Sequence, residues 1–260
     1  MLDDGAELLN IFYNEFNKIM SDVSIVGVEQ TSSGFRKLEN IKLNYPVLNV
    51  ARSAVKLNKE SPLIARLGCN RIEDVIRKYK IEDPRIMVVG LGPIGSNVSK
   101  ILKDDGYYVL GHDTVFDSES EISAIVMKNN INMLIGATGT SILTEKQITQ
   151  LEQTLVGHLY LISMSSSDRE FPAAFIRMNG KMDEAIHGDS FWKKLILINN
   201  GFPITFKGKR YESTPKEIEK TISLLYGSVI SAATSKFDLS SFVELPKPIT
   251  DIIENDEFRS

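Results

Sequence analysis

The 260-residue chain is poor in the groups that usually carry disulfide, metal or imidazole chemistry, with one cysteine, three histidines and one tryptophan. A lone thiol, Cys69, can neither close an internal disulfide nor build a cysteine-rich zinc site. The expectation is an intracellular protein with no structural metal. A surplus of positive charge is also missing: 30 Lys and Arg stand against 34 Asp and Glu, for a formal net charge of -4. That balance lacks the electrostatic footprint of a nucleic-acid binder. No apolar run approaches the ~18 residues of a membrane helix. The opening Met1-Leu2-Asp3-Asp4-Gly5 is acidic where a secretory leader would be basic and then apolar. A soluble, cytoplasmic protein with no membrane or nucleic-acid partner is therefore expected. What the chain does have is a 42% share of apolar residues, enough to fill one large domain or two modest ones.

The placement of those apolar residues sets the expected elements. Ala6 to Met20 carries Leu8, Leu9, Ile11, Phe12, Phe16, Ile19 and Met20 near the spacing of an amphipathic helix. Ser24–Val28 is a short apolar run, a helix is expected from Phe35, Pro46–Val50 reads as a buried strand, and Ser61-Pro62 reads as a break before a helix over Arg71–Tyr79. The period then alternates. Runs of strand length at Arg85–Val89, Tyr107–Leu110, Met133–Ile135, Leu159–Ile162 and Leu195–Ile198 are interleaved with helical stretches at Ser96–Leu102, Glu121–Asn129 and Glu145–Leu155. Such alternation is the signature of βαβ units on a parallel sheet with helices on both faces. Pro215–Ser235 reads as a helix with Pro215 in its first turn and Ser213 or Thr214 as N-cap. The tail from Glu244 has little to bury and is expected to fray.

Within the alternation, Gly90-Leu91-Gly92-Pro93-Ile94-Gly95 lies after a strand and before a helix. That context suits a dinucleotide phosphate loop. One glycine makes the tight turn, one lets backbone approach a pyrophosphate, one permits close helix–sheet packing, and the helix N-terminus aims N–H groups at the phosphates. Asp113, past the end of the next strand, can accept hydrogen bonds from an adenine ribose and repels a 2′-phosphate, which favours NAD over NADP. Gly136-Ala137-Thr138-Gly139-Thr140 follows another strand, where small residues border the ligand crevice of such sheets. The same residues would also serve as plain turns with a solvated acid.

Several separated segments resemble the S-adenosylhomocysteine hydrolases. Leu2-Asp3-Asp4-Gly5-Ala6-Glu7-Leu8 is similar to that family's LDDGGDL segment, Val28-Glu29-Gln30-Thr31-Ser32-Ser33-Gly34 to its SEETTTG, Pro46–Lys56 to PAINVNDSVTK, and Leu67-Gly68-Cys69 to YGC. The glycine loop, Asp113, Thr138-Gly139, Asn200-Gly201 and the helix after Pro215 follow in family order, over nearly the whole chain. The resemblance implies an α/β protein: a Rossmann-type doubly wound parallel sheet with a reduced, mainly helical second domain. It makes residues 1–69 a remnant of the substrate domain, 70–212 the NAD-binding domain, and 213–260 a return helix and tail packing on the remnant. The family oxidises a ribose hydroxyl with bound NAD and later reduces the ketone. The implied cofactor is NAD, and the implied activity is that of an NAD-dependent oxidoreductase acting on a carbinol or ketone of a small polyol, nucleoside or related metabolite. A non-catalytic nucleotide-binding homologue, or a subunit completed by a separate chain, is the alternative.

By the same resemblance, Lys56 assists the oxidation and Asp4 lies near the substrate ribose. Gly90, Gly92, Pro93, Ile94, Gly95, Asp113, Thr138, Gly139 and Asn200 contact the cofactor, joined by Thr31, Ser32 and Ser33 in place of three threonines, with Cys69 near the nicotinamide. There are also departures. Gln30 replaces a glutamate and Ala51 an asparagine, and Glu60-Ser61 lie roughly where an Asp-Asn pair should be. The family's two histidines align with Ser166 and Thr214, while His112, His158 and His187 fall elsewhere. A general base must reach the proton it takes, so hydrolase activity is not expected of this chain alone. A reduced substrate domain would expose apolar helix faces at Leu8–Met20 and Ile218–Ile230, and such faces point to a homo-oligomer.

Overall fold

The computed structural model describes all residues except 17–23, 114–121, 166–167, 184–186, 207–214, 238–241 and 256–260. In chain order the described elements begin with β1 (Leu2–Asp3), α1 (Glu7–Ile11), β2 (Gly27–Glu29), α2 (Ser32–Glu39), β3 (Val47–Asn49) and α3 (Ser61–Tyr79). Next come β4 (Arg85–Val89), α4 (Pro93–Asp104), β5 (Tyr108–His112), α5 (Ile122–Lys128), β6 (Met133–Gly136), α6 (Glu145–Thr154), β7 (Leu159–Ser163) and α7 (Ala173–Asn179). The remainder are β8 (Lys181–Met182), β9 (Ser190–Trp192), β10 (Leu195–Leu197), α8 (Pro215–Thr234), β11 (Phe242–Val243) and α9 (Lys247–Asn255). Contacts divide the chain into two units, Ser61–Glu212 on one hand and Met1–Glu60 with Ser213–Ser260 on the other.

The continuous unit is a seven-stranded sheet in the order β5-β4-β6-β7-β10-β9-β8. The first five strands are parallel, and β9 and β8 extend the sheet antiparallel at one edge. Alternation of side chains along each strand feeds two cores. Met87, Val89, Leu134 and Leu161 face Ile122, Val126, Ile148 and Leu151 of α5 and α6. Ile86, Val88, Met133, Ile135 and Ile162 face Ala65, Ile72, Val98 and Leu102 of α3 and α4. Covered on both faces, the central strands can be almost wholly apolar. The expected doubly wound α/β fold is what this unit shows. Because α4 leads from β4 out to β5 on one side, and β6 pairs with β4 on the other, the strand order reverses at the carboxyl ends of β4 and β6. Doubly wound sheets open their ligand crevice at that reversal.

Ser61-Pro62, expected as a break, instead begins α3 directly after a π-helical turn over Lys56–Glu60, so the winding of the helix changes where the proline removes an N–H from the ladder. A boundary at 69/70 would cut that helix, and the contacts keep Ser61–Glu212 together.

The discontinuous unit is mainly helical around a small parallel sheet, β1-β2-β3-β11, whose strands are two or three residues long. Val28, Leu48, Val50 and Val55 pack with Leu224, Leu245 and Ile253, and Ala6, Leu9, Leu38, Tyr45 and Val47 form a second cluster. The tail expected to fray is a correction. Lys247–Asn255 is helical, Ile253 is 5% exposed, and Ile249 lies so close to Gly227 of α8 that a Cβ there would come within 3.0 Å of it. Prolines at Pro246 and Pro248 suggested a broken tail, yet both fall at the start of the helix, where proline is tolerated. α1 runs on as a π-helical turn over Phe12–Phe16; the rest of the expected helix, to Met20, lies outside the described residues. Among the described residues no helix is long and apolar enough to cross a membrane.

Candidate functional site

β4 ends at Val89 and the chain turns at Gly90, whose φ of +92° favours glycine. A Cβ on Gly90 would also lie 2.8 Å from the Ala137 carbonyl carbon and from Thr138 Cγ2. On Gly95, in the first turn of α4, a Cβ would sit 1.8 Å from the Gly90 carbonyl oxygen. Gly92 is different: its φ is -66° and an added Cβ would meet nothing within 4 Å. Two of the three glycines are thus required by packing, while the middle one borders open space. Pro93 takes the first helical position, and the N–H groups of the first turn have no intrahelical acceptor. Together with the positive end of the helix dipole they suit an anion.

The neighbouring strands shape the rim. Asp113 follows β5, and its Oδ2 accepts the Leu91 N–H at 3.1 Å, while the Gly90 N–H donates to the His112 carbonyl at 2.8 Å. The acid is thereby fixed beside the glycine turn. Across β4, the Thr138 and Gly139 turn follows β6 and is held by Glu170, a residue sequence reasoning missed. Glu170 is fully buried. Its Oε1 accepts Thr138 N–H at 2.6 Å, Thr138 Oγ1 at 3.2 Å and Gly139 N–H at 3.2 Å, and its Oε2 accepts Ser163 Oγ at 2.9 Å. The partners of Oε1 lie more than 30 residues away in the chain, so no local spacing marked it.

Asn200 follows β10 in a run of left-handed residues, Asn199 (φ 52°), Asn200 (φ 53°) and Gly201 (φ 89°). Non-glycine residues hold that conformation only where their surroundings over-determine it. Here the Asn199 N–H donates to buried Asp189 Oδ1 at 2.8 Å, Asn200 Oδ1 accepts Ser190 Oγ at 2.6 Å, and the Asn200 carbonyl accepts Arg177 Nη1 at 2.6 Å. Asp189 also accepts Lys78 Nζ at 2.6 Å and the Tyr79 hydroxyl at 2.8 Å. Burial, then that hydrogen bond, pushes the Tyr79 phenol well above its ordinary range.

Cys69 is a correction. It is 1% exposed in the seam between α3 and α4, where its Sγ lies 3.9 Å from the Val98 carbonyl. A side chain covered this completely by protein has no surface left for a cofactor. Burial pushes its thiol up to about 12.

The other unit gathers a second set of expected residues around Glu29, which is fully buried. Its carboxylate accepts the Gly5, Ala6 and Thr31 N–H groups and the Thr31 hydroxyl at 2.7–3.2 Å. Burial outweighs these bonds and raises its pKa. Thr31 caps α2 through the Gly34 N–H at 3.1 Å and accepts Gly5 N–H at 2.9 Å. Its hydroxyl is fully engaged inside the protein. Ser33 Oγ lies 3.3 Å from it, and Ser32 is exposed. Asp4 is exposed and accepts Gln30 Nε2 at 3.1 Å, a bond that the glutamate of the resemblance would replace with repulsion. Lys56 is not part of this group. It lies on a π-helical turn, its Nζ 2.7 Å from Glu60, whose other oxygen accepts the Thr221 hydroxyl at 2.8 Å. Ser166 and Thr214 lie outside the described residues. Among the described residues, no three His, Cys, Asp or Glu side chains come together as a metal site would require.

No protein-family model matches the chain. An uncharacterized protein of Mycobacterium tuberculosis, found in strain CDC 1551 / Oshkosh and in strain ATCC 25618 / H37Rv, is 31% identical over 246 residues. The match covers 92% of this chain and 46% of the relative, so the chain spans about half the length of the curated relatives it matches. Among solved structures, a 2-hydroxyacid dehydrogenase from Ketogulonicigenium vulgare Y25 is similar with a TM-score of 0.45 and 14% identity, over 93% of this chain and 97% of that one. A D-isomer specific 2-hydroxyacid dehydrogenase from Xanthobacter autotrophicus Py2 has a TM-score of 0.42 and 10% identity, over 84% of each chain.

Proposed function

We propose that this chain binds NAD at the carboxyl ends of β4 and β6 and acts as an S-adenosylhomocysteine hydrolase-like oxidoreductase on a carbinol or ketone of a small polyol, nucleoside or related metabolite. The observation that carries the reading is the glycine loop: packing forbids a side chain at Gly90 and Gly95, whereas Gly92 faces open space at the mouth of α4. A cradle that a Cβ would fill, with Asp113 bonded to its rim, fits a pyrophosphate and an adjoining ribose. When bound, NAD supplies a site for hydride transfer. Lys56 is the group proposed to move the carbinol proton, with Glu60 bonded to its Nζ as the adjacent acceptor. Asp4 is proposed to bind a substrate hydroxyl. Homo-oligomerisation through the exposed apolar side chains Ile222, Tyr226, Val229 and Ile230 of α8 belongs to the same proposal.

A non-catalytic nucleotide-binding role is the second reading, favoured by Ser166 and Thr214 standing where the resemblance calls for imidazoles. Calorimetric titration of the purified protein with NAD tests the shared part, and absence of binding sinks both readings. Lys56→Ala then separates them: turnover lost with NAD affinity intact supports the enzyme, and no turnover in the parent protein on any polyol or nucleoside supports the binding role.

A further inference from the structure

Two turns flank the glycine loop; the one carrying Asp113 is assigned the adenine ribose, whereas the Thr138–Gly139 turn is expected to contact the cofactor with no part of it yet assigned. We infer that Glu170 is a positioning residue that fixes the Thr138–Thr140 turn for the half of the dinucleotide lying away from Asp113. The inference rests on the proposed dinucleotide site.

The strand end is built around this carboxylate. Gly136 has no room for a side chain, because a Cβ would lie 2.4 Å from Glu170 Oε2. The Glu170 carbonyl accepts the Ile142 N–H at 2.9 Å, so both ends of the residue tie down the β6–α6 connection.

Glu170 also sets the polarity of the turn. It draws the Thr138 and Gly139 N–H groups inward, and Ser165 Oγ shares the latter at 3.0 Å. Those donors are therefore unavailable to a phosphate. With those N–H groups engaged, and the Thr140 carbonyl accepting Thr138 Oγ1 at 2.8 Å, the turn is unsuited to an anion and suits a neutral nucleoside packed against it. Sheet order supplies the direction, because β5 with Asp113 lies on one side of β4 and β6 on the other. A ligand with its pyrophosphate at the glycine loop and its adenosine beside Asp113 must lay its second nucleoside towards β6.

The test is calorimetric titration of the full chain and of Glu170→Ala and Glu170→Gln with NAD and with ADP, which lacks the second nucleoside. Losing a buried carboxylate that satisfies several donors predicts NAD binding about tenfold weaker or worse in Glu170→Ala, with ADP affinity within about twofold of the parent. Glu170→Gln should restore NAD binding to within about threefold, because its amide oxygen can keep the Thr138 and Gly139 donors while its NH2 faces the Ser163 hydroxyl, which can accept. A merely structural role predicts that NAD and ADP weaken together. That result, unchanged NAD affinity in Glu170→Ala, or failure of Glu170→Gln to rescue would overturn the inference. If Glu170→Ala does not fold, Glu170→Asp, which withdraws the carboxylate by one methylene, is judged by the same NAD-to-ADP difference. A parent protein that binds neither NAD nor ADP refutes the dinucleotide site itself, whereas one that binds both leaves only the role of Glu170 in question.

Discussion

Gly92→Ala should separate binding from folding. At Gly92 a methyl group meets nothing within 4 Å and the φ of -66° suits any residue. Alanine is a poorer N-cap than glycine, while the stiffer unfolded chain returns about 0.4–1 kcal/mol, so the net change in stability should stay within about 0.5 kcal/mol. The same methyl occupies the space through which backbone would approach a pyrophosphate, so NAD affinity should fall about tenfold or more, equivalent to about 1.4 kcal/mol. Gly95→Ala is the contrast. Its Cβ at 1.8 Å from the Gly90 carbonyl is more than 1 Å inside the 3.0 Å that real contacts respect, and the obstacle is backbone. Overpacking of that kind costs about 1–3 kcal/mol or more, which the helix preference for alanine, about 1 kcal/mol, only partly offsets. Urea unfolding followed by circular dichroism reads the stability, and calorimetry reads the affinity. Gly92→Ala binding NAD as tightly as the parent would refute the assignment of that space to a ligand, and Gly92→Ala unfolding as readily as Gly95→Ala would refute the packing argument.

Other tests are simpler. Asp113→Ala removes the carboxylate at the loop rim, so the preference for NAD over NADP should shrink in paired titrations. Cys69 should resist an aromatic disulfide reagent at pH 8 in the native protein and react fully in denaturant, since its thiol is buried and held up to about 12. Tyr45, whose hydroxyl donates to the Leu9 carbonyl at 2.7 Å, is likewise pushed up to about 12, first by burial. Both groups stay protonated in the native state over a range where the unfolded chain ionises. Their stabilisation is therefore complete below the ordinary thiol and phenol values and is lost as pH rises towards about 12, with Cys69 acting from about 9 and Tyr45 from about 10. Urea midpoints should fall across that window, and Tyr45→Phe should flatten its upper part while costing about 0.5–1.5 kcal/mol for the one hydrogen bond lost, since the Leu9 carbonyl keeps the Phe12 N–H. Thr31→Ala should cost about 1–2 kcal/mol in the same assay through loss of the α2 cap.

Elements with sustained periodicity were legible in the sequence. The apolar run of β4 was found with its full bounds, and β6 and β7 within a residue, because strands covered on both faces carry an unbroken apolar signal. Among the two- and three-residue strands, β3 and β10 were read because each lies within a longer apolar run, whereas β1, β2, β8, β9 and β11 were not, since so short a stretch has no period of its own. At the site, the glycines and Asp113 could be found because their spacing is local. Glu29, Glu170 and Asp189 could not, because each is a buried carboxylate whose role depends on donors brought from distant parts of the chain. Cys69 misled because a sequence match carries a neighbour's identity without its exposure.

The pairing of β11 with β3 joins Phe242-Val243 to Val47-Leu48. Between them the chain runs through the whole of the continuous unit. During synthesis Ser61–Glu212 has every strand of its own sheet available before β11 exists, whereas β3 must wait with one edge open until α8 and β11 have been made. Contacts of such sequence separation form late, and an unpaired strand edge is where wrong partners attach in the meantime. The four-stranded sheet, small as it is, is thus the part of this molecule whose assembly is most exposed to delay, and a chain stalled before Phe242 would carry a finished seven-stranded sheet and an unfinished four-stranded one.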